Sequence, residues 1–271
     1  MHMRQEDHDR AAQALQHAAE AGHQIGAISQ DHPGMTLEDS YAIQSLILDR
    51  AKAAGRHVAG YKVAFSSPPV MRMMGMEEPA RGVLLGDMAF PAGGTVPCGA
   101  IPGAAVEAEI LFRMGDDLHG ADCTPQDVLA ATEYVAPALE LIGGRVFAQD
   151  PVTGAARRAV DLVADNTGAA GFVIGGARHK PGDVALDRVG VSLARDGLVE
   201  ETGLGASVHG HPLDAMAWLA RNLAKSGEYL RRGDVVLAGS LVRPVPVGTS
   251  RAFAADFGHF GHVTISFEQE S

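Results

Sequence analysis

The sequence predicts an α+β protein in which a helical N-terminal segment, residues 1–59, precedes a β-rich body, residues 60–271. Apolar residues recur with helical spacing through the first part of the chain, and short β-branched runs then alternate with glycine and proline. The 33 glycines among 271 residues suit a fold with many tight turns. Because no linker separates the two parts, we expect them to form a single functional unit.

The N-terminal segment contains two predicted helices. Ala11–Ala21 is rich in alanine and has charged flanks, a composition with high helix propensity. Thr36 is the predicted cap of a second helix, and Asp39 supplies the acid that a capping box places three residues later. An apolar face follows at i, i+3 and i+4 over residues 43–47, and Gly55 marks the predicted helix end.

The β-rich body is predicted from short runs of β-branched and aromatic residues between turn signals. The candidate strands are Tyr61–Phe65, Val83–Leu85, Val106–Met114, Gly171–Ile174, Val191–Ala194, Val235–Leu237 and His262–Phe267. Arg195–Gly197 contains Asp-Gly, which predicts a hairpin turn. Two helices interrupt the strands. They are Thr124–Tyr134, with proline at its first position, and His211–Lys225, whose apolar stripe is typical of a helix packed on a core.

Composition argues against several classes of function. Acidic residues outnumber basic ones by 33 to 22, and the net charge of −11 is unsuited to binding nucleic acid or an anionic membrane. Residues 1–10 are polar, unlike a secretory signal, and no apolar run approaches the roughly 18 residues of a membrane span. Cys98 and Cys123 have no partners at metal-ligand spacing. We therefore expect a cytoplasmic protein without a disulfide framework.

The segment most informative about function is the alternating run at residues 106–112. In an extended strand, Glu107 and Glu109 point to the same face, with their α-carbons roughly 6.6 Å apart. Glu140 lies in a second strand-like run that is otherwise apolar. Three carboxylates without a histidine suit Mg²⁺ or Mn²⁺ rather than zinc. Spacing alone favours the alternative that Glu107 and Glu109 lie on a solvated sheet face.

Two further residues are candidates for acid–base chemistry. Lys62 lies among apolar residues in a predicted strand, where burial can lower the pKa of a lysine and make it a base. By pattern alone, an edge-strand lysine that discourages aggregation is the better interpretation. Asp87 follows a glycine at a position where aspartate usually forms a turn. His209 and His211 are too few for a zinc site, and the chain has no dinucleotide-binding fingerprint.

Several motifs along the chain match one enzyme family. They are Gly60–Val63, Gly82–Met88, Val106–Glu109, Pro137–Glu140, Val163–Asn166, His211–Pro212 with Trp218–Ala220, and Ala238–Ser240. Through them the chain resembles the 2-keto-4-pentenoate hydratases of the fumarylacetoacetate hydrolase superfamily, over about residues 22–267. Within that family it is most similar to the 2-oxohept-4-ene-1,7-dioate hydratases. Ala64–Ser67 departs from the usual Gly-Leu-Thr-Ser, and Pro68 stands where a lysine is common.

The resemblance implies a mixed β-sheet roll with flanking helices. It implies that a divalent metal, Mg²⁺ or Mn²⁺, is held by Glu107, Glu109 and Glu140. It also implies that the acid–base groups are Lys62 and Asp87. The substrate-binding residues that we expect are Ser66, Ser240, Arg157 and Arg243, and the two arginines suit a distal carboxylate. The implied reaction is hydration of a 2-oxo-4-enoate, or its 2-hydroxydienoate tautomer, by a homo-oligomer in the catabolism of aromatic compounds.

Several alternatives stay open at this point. A 4-oxalocrotonate-type decarboxylase would use the same metal-enolate chemistry, and a hydratase could act on the shorter 2-oxopent-4-enoate. Hydrolysis of a carbon–carbon bond ranks below these, because the sequence shows no dyad that would activate water. A structural partner subunit of a hydratase–decarboxylase complex is the non-enzymatic alternative. The intact set of three glutamates and Lys62 argues against it.

Overall fold

The computed structural model describes residues 3–269. Its α-helices are α1 (Gln5–Glu20), α2 (Ile28–Asp31), α3 (Leu37–Ala53), α4 (Pro68–Met74), α5 (Pro125–Ala131), α6 (Ala159–Ala164) and α7 (Pro212–Ala224). Its strands are β1 (Val58–Ala64), β2 (Ala80–Leu85), β3 (Ala89–Phe90), β4 (Thr95–Val96), β5 (Ala105–Met114), β6 (Thr132–Ile142), β7 (Ala169–Ile174), β8 (Gly190–Arg195), β9 (Leu198–Leu204), β10 (Val235–Ser240), β11 (Val245–Pro246), β12 (Ala252–Asp256) and β13 (His262–Phe267). No helix within these residues is long and apolar enough to cross a bilayer.

The strands form two mixed sheets. The larger sheet has the order β2-β1-β10-β5-β6-β7-β3, with β11 paired to β5, and the smaller has the order β4-β13-β12-β8-β9. β1 is parallel to β10 and β3 is parallel to β7, whereas β5 and β6 are antiparallel to their neighbours. Because β2 also contacts β7, the larger sheet curls into a roll. The α+β fold class and the mixed sheet roll are therefore confirmed.

The two faces of the larger sheet have different surroundings. One face contributes Val106, Ile110 and Phe112 to the main core, which also includes buried residues of α7 and of the smaller sheet. The other face carries a smaller apolar cluster, with Leu111 and Leu237 among its members. We call this second face the concave face, because its cluster joins residues of β2 and β7, the two strands that the curl of the sheet brings into contact. Residues two apart share a face, so Glu107 and Glu109 lie on the concave face with Leu111.

The N-terminal helices form a cluster of their own, built on α1, α3 and α6. The predicted capping box is confirmed, because the Thr36 hydroxyl accepts from the Asp39 N–H at 3.2 Å. Buried Asp161 at the start of α6 accepts from the main-chain N–H and hydroxyl of Ser29, at 2.8 and 2.7 Å. These bonds attach the helical segment to the body.

The structure corrects one prediction of secondary structure and adds elements that were not predicted. The helix predicted over Thr124–Tyr134 ends at Ala131, because β6 begins at Thr132 and pairs with β5 from that residue onward. The strand Ala252–Asp256 was not predicted, since alanine has low β-propensity. Its pairing with β8 and β13 decides its conformation. The hairpin turn between β8 and β9 is confirmed.

Candidate metal centre

Two neighbouring strands bring three carboxylates together. β5 carries Glu107 and Glu109, and the register of the antiparallel pair places Glu140 of β6 directly opposite Glu107. One carboxylate oxygen from each residue lies within 4.8 Å of the other two. Glu109 and Glu140 are buried, and Glu107 is half-buried. The alternative of a solvated sheet face is therefore wrong for this pair of strands.

The pKa values of the three carboxyl groups reflect their crowding. Burial, together with the neighbouring charge of Glu140, raises the pKa of Glu107 to about 7. The same two causes, joined by the charge of Glu107, raise the pKa of Glu109 well above its ordinary value. Burial also raises the pKa of Glu140, although Lys62 acts in the opposite direction. Without a cation, the protein disfavours three charges here, and a divalent ion would relieve this repulsion.

The hydrogen bonds of the cluster test whether its residues fit a metal. Both carboxylate oxygens of Glu140 are buried; Oε1 contacts Lys62 Nζ, and Oε2 accepts no hydrogen bond from the described residues. Glu109 Oε2 accepts from the Gly239 N–H at 2.8 Å, which orients that carboxylate. Buried oxygens that the protein leaves without donors are available as ligands, and carboxylate oxygens are what Mg²⁺ and Mn²⁺ prefer. The residues present therefore fit a divalent cation.

Lys62 lies on the same concave face. It pairs with Gly82 of β2 on one side and Leu237 of β10 on the other, so the edge-strand interpretation is wrong. Its Nζ forms a buried ion pair with Glu140 Oε1 at 3.0 Å and donates to the Thr167 carbonyl at 3.3 Å. Burial favours the neutral amine, but the nearby glutamates outweigh it and raise the pKa of Lys62. In the absence of metal, the lysine is therefore an ammonium.

The structure does not bring Asp87 to this cluster. Asp87 lies in the 3₁₀ turn after β2 with 56% of its side chain exposed, and it accepts hydrogen bonds from Arg56 at 2.7 and 2.9 Å. Because Lys62 pairs with Gly82, Asp87 lies roughly 15 Å further along the strand direction. The hydrogen-bonded Arg56 guanidinium lowers the pKa of Asp87. This position fits the turn interpretation and does not fit an acid–base partner of Lys62.

Of the two predicted serines, Ser240 lies beside Glu109, and Ser66 lies against Gly239, whose N–H binds Glu109. Ser66 is buried against Gly239, where a Cβ atom would come within 2.2 Å of the serine hydroxyl oxygen. Gly239 has a φ of 124° and donates to Glu109, so this position requires glycine. Ser240 pairs with Glu109 across β10 and β5, and its hydroxyl donates to the Val242 carbonyl at 2.7 Å.

The two predicted arginines differ in their availability. Arg243 is 83% exposed and is paired with Glu201, with contacts of 2.7 and 3.0 Å. Arg157 is half-buried and donates to the Val146 carbonyl at 2.9 Å, and it makes no ion pair with the described residues. Burial lowers the pKa of Arg157, although the charges of Asp165 and Asp161 oppose this. Of the two predicted arginines, Arg157 is therefore the one without a close ion pair among the described residues.

Sequence reasoning missed the main-chain groups of the site. The Thr167 carbonyl binds Lys62, and the Gly239 N–H binds Glu109. Patterns of side chains do not report where a carbonyl or an N–H points. The Val163–Asn166 and Ala238–Ser240 motifs, which adjoin these groups, were the available signal.

The structure has the fold of the fumarylacetoacetate hydrolase superfamily, and the similar proteins described next show that the protein is an enzyme. The solved structure of 4-oxalocrotonate decarboxylase from Pseudomonas putida G7, complexed with magnesium and adipate, matches with a TM-score of 0.91. Its sequence is 33% identical, and the match covers 98% of this chain and 99% of that chain.

Two known proteins narrow the assignment. The 2-oxo-hept-4-ene-1,7-dioate hydratase of Escherichia coli is 38% identical over 260 residues, which cover 96% of this chain and 97% of the relative. The 2-keto-4-pentenoate hydratase of Paraburkholderia xenovorans is 36% identical over 266 residues, which cover 98% and 97%. No family model matches the chain. The chain belongs to the 2-keto-4-pentenoate hydratase family, which confirms the resemblance seen in its motifs.

Proposed function

We propose that the protein is a metal-dependent hydratase. It adds water to a 2-oxo-4-enoate, presented as its 2-hydroxydienoate tautomer, and gives a 4-hydroxy-2-oxo acid. The observation that carries this proposal is the cluster of Glu107, Glu109 and Glu140, with Lys62 in contact with Glu140. The two hydratases to which the chain is similar over nearly its full length support the reaction class.

The three glutamates would hold Mg²⁺ or Mn²⁺. Magnesium in the similar decarboxylase structure supports this choice of cation. When bound, the cation supplies a Lewis-acid charge that stabilises the enolate form of a 2-oxo acid. The Gly239 N–H keeps Glu109 oriented, and the ion pair with Lys62 leaves Glu140 Oε2 free to act as a ligand.

Lys62 is the residue to which we assign the movement of protons. Its ammonium can give a proton to C5 of the 2-hydroxydienoate and take one from the 2-hydroxyl group, so the lysine is unchanged after tautomerisation. The product of this step is a 3-ene conjugated with the C2 ketone. Water then adds its oxygen to C4, the electrophilic end of that system, and C3 gains a proton. Asp87 has no part in this scheme because of its position beside Arg56.

We further propose that the substrate carries a second carboxylate, which Arg157 binds. Two similar proteins support a dicarboxylate substrate. The Escherichia coli relative is a hydratase of a 1,7-dioate, and the decarboxylase structure contains adipate. Arg157→Gln should raise KM for a seven-carbon dioate and leave KM for a five-carbon monocarboxylate unchanged. Arg243→Gln is the matched control, because Glu201 already pairs with that guanidinium. Equal effects on both substrates would contradict the role of Arg157.

The assay that tests the function is ultraviolet spectroscopy of 2-hydroxydienoates with Mg²⁺ or with EDTA. Loss of the dienol band that requires Mg²⁺ and releases no CO₂ supports hydration. Release of CO₂ would establish a decarboxylase, the second candidate, which the similarity to 4-oxalocrotonate decarboxylase favours. If neither occurs with five-, six- or seven-carbon substrates, the structural partner subunit becomes the better interpretation.

We also propose that residues 1–59 and 60–271 act as one unit and that the protein works in the cytoplasm as a homo-oligomer. The hydrogen bonds between Ser29 and Asp161 across the two parts support the single unit. Light scattering of the purified protein tests the oligomer, and a monomeric mass would contradict it.

A further inference from the structure

A tight turn lies against the lysine of the site. Asn166, Thr167 and Gly168 have φ angles of 52°, 53° and 73°, so three consecutive residues have left-handed backbone. Glycine adopts this conformation readily, whereas a β-branched residue such as threonine rarely does. A strained turn of this kind persists only where surrounding contacts hold it.

The side chain of Asn166 provides those contacts. Its Oδ1 accepts from the Val83 N–H at 2.8 Å, and its Nδ2 donates to the Val83 carbonyl at 2.9 Å. Val83 lies on β2, the last strand at one edge of the larger sheet. The Asn166 amide therefore takes the place that a further strand would occupy on this edge. We call this pair of bonds the Asn166 clamp.

The same turn contacts Lys62 on β1 and Gly82 on β2. The Thr167 carbonyl accepts from Lys62 Nζ at 3.3 Å. A Cβ atom on Gly82 would lie 2.4 Å from Thr167 Oγ1, 2.8 Å from the Asn166 carbonyl oxygen and 3.0 Å from Lys62 Cδ. The turn, the edge strand and the lysine thus fit together with no room for a side chain between them.

We propose that Asn166 is a positioning residue for Lys62. Its clamp fixes the turn on β2, and the Thr167 carbonyl then holds Nζ beside Glu140. The Asn166 side chain hydrogen-bonds Val83 rather than Lys62, so it acts through Thr167. This inference rests on the proposed function, in which Lys62 moves the protons.

Asn166→Gly tests the clamp, because glycine keeps the left-handed backbone and removes the amide. Asp196→Gly is the matched control. Asp196 also has left-handed backbone, with a φ of 49°, and its Oδ1 accepts from the N–H groups of Arg251 and Ala252, both at 2.9 Å. It makes a similar clamp in the smaller sheet, away from the carboxylates. Asn166→Asp is a milder second variant, since it keeps the acceptor for the Val83 N–H.

A small misplacement of a reacting group costs up to about 100-fold in rate, so we expect kcat of Asn166→Gly to fall about 10- to 100-fold. KM and Mg²⁺ affinity, measured by calorimetry, should stay near wild type, because the glutamates are not moved. Asn166→Asp should fall between wild type and Asn166→Gly. Asp196→Gly should lose thermal stability and keep its kcat.

Three results from kinetics and calorimetry would overturn the proposal. They are an unchanged kcat in Asn166→Gly, an equal loss of kcat in Asp196→Gly, and a loss of Mg²⁺ affinity parallel to the loss of kcat. Hydrogen exchange of the Val83 amide measures whether the clamp is formed, independently of enzyme activity. We expect faster exchange in Asn166→Gly and none of this change in Asp196→Gly, and unchanged protection would also overturn the proposal. A wild-type protein without turnover would refute the proposed function instead, while exchange at Val83 would still decide whether the clamp exists.

Discussion

The ion pair between Lys62 and Glu140 determines how stable the metal-free protein is. Nζ and Oε1 are 3.0 Å apart, and the two side chains are 4% and 0% exposed. Removing one partner of a buried pair costs about 3–5 kcal/mol, because the other charge stays buried without compensation. Lys62→Met keeps an unbranched apolar stem and removes the charge. Glu140 then faces Glu107 with no cation beside it.

This loss of free energy translates into a measurable change in melting temperature. For a chain of this size, 1 kcal/mol corresponds to about 2–4 °C, so the full range is about 6–20 °C. The glutamates already have raised pKa values, and uptake of a proton relieves part of the repulsion. We therefore expect the lower part of the range, about 6–10 °C, in EDTA. Mg²⁺ should restore most of this loss, since its ligands remain and binding stabilises the folded state.

The measurement is thermal unfolding in EDTA and in Mg²⁺, together with turnover. Lys225→Met is the control, because the Lys225–Glu78 pair is exposed at 3.6 Å and such pairs contribute about 0–1 kcal/mol. A Tm equal to wild type in EDTA would refute the stabilising role of the buried pair. Failure of Mg²⁺ to raise the Tm of Lys62→Met would show that the lysine itself organises the ligands. Near-normal turnover would remove Lys62 from the proposed reaction.

Three further variants test the site. Glu107→Gln should lose Mg²⁺ affinity, measured by calorimetry, whereas Glu133→Gln, at an exposed position on β6, should not. Retained affinity in Glu107→Gln would contradict its assignment as a ligand. Gly82→Ala forces a Cβ atom against the turn, so it should lower the free energy of unfolding by about 1–3 kcal/mol and also lower turnover. Gly176→Ala is the control, because a Cβ atom there meets open space and should change neither quantity much. Asp87→Asn should keep its turnover because the residue is bound to Arg56 at the surface, and a large loss of kcat would return it to the mechanism.

Local patterns predicted those parts of the site that depend on a single strand. The two-residue period of a strand is enough to put Glu107 and Glu109 on one face. Their approach to Glu140 depends on the register between β5 and β6, which pairing and turns fix together and which the sequence of either strand leaves open. The sequence offered Glu140 as a candidate, because it is an acid in an otherwise apolar run, and the family resemblance implied that it is the third ligand.

Sheet order decided the predictions that depended on distant parts of the chain. Lys62 has the pattern of an edge-strand lysine, yet β1 lies inside the sheet because β10, far away in sequence, pairs with it. The last residues of the helix predicted at Thr124–Tyr134 belong to β6 instead, since pairing with β5 outweighs their local helix preference. Asp87 lies far from Lys62 for a related reason. Lys62 pairs with Gly82 near the start of β2, whereas Asp87 follows the other end of that strand.

Backbone strain locates the site independently of its charges. Within residues 3–269, five residues other than glycine have left-handed φ angles, and four of them lie next to Lys62 or Ser66. Asn166 and Thr167 form the turn on Lys62, while Phe65 and His209 flank Ser66, whose carbonyl accepts from the His209 N–H at 2.9 Å. The fifth is the hairpin residue Asp196, where a tight turn requires this conformation. Strain of this kind often persists at functional sites, so its presence beside Lys62, which pairs with Glu140, and beside Ser66 favours a functional site here.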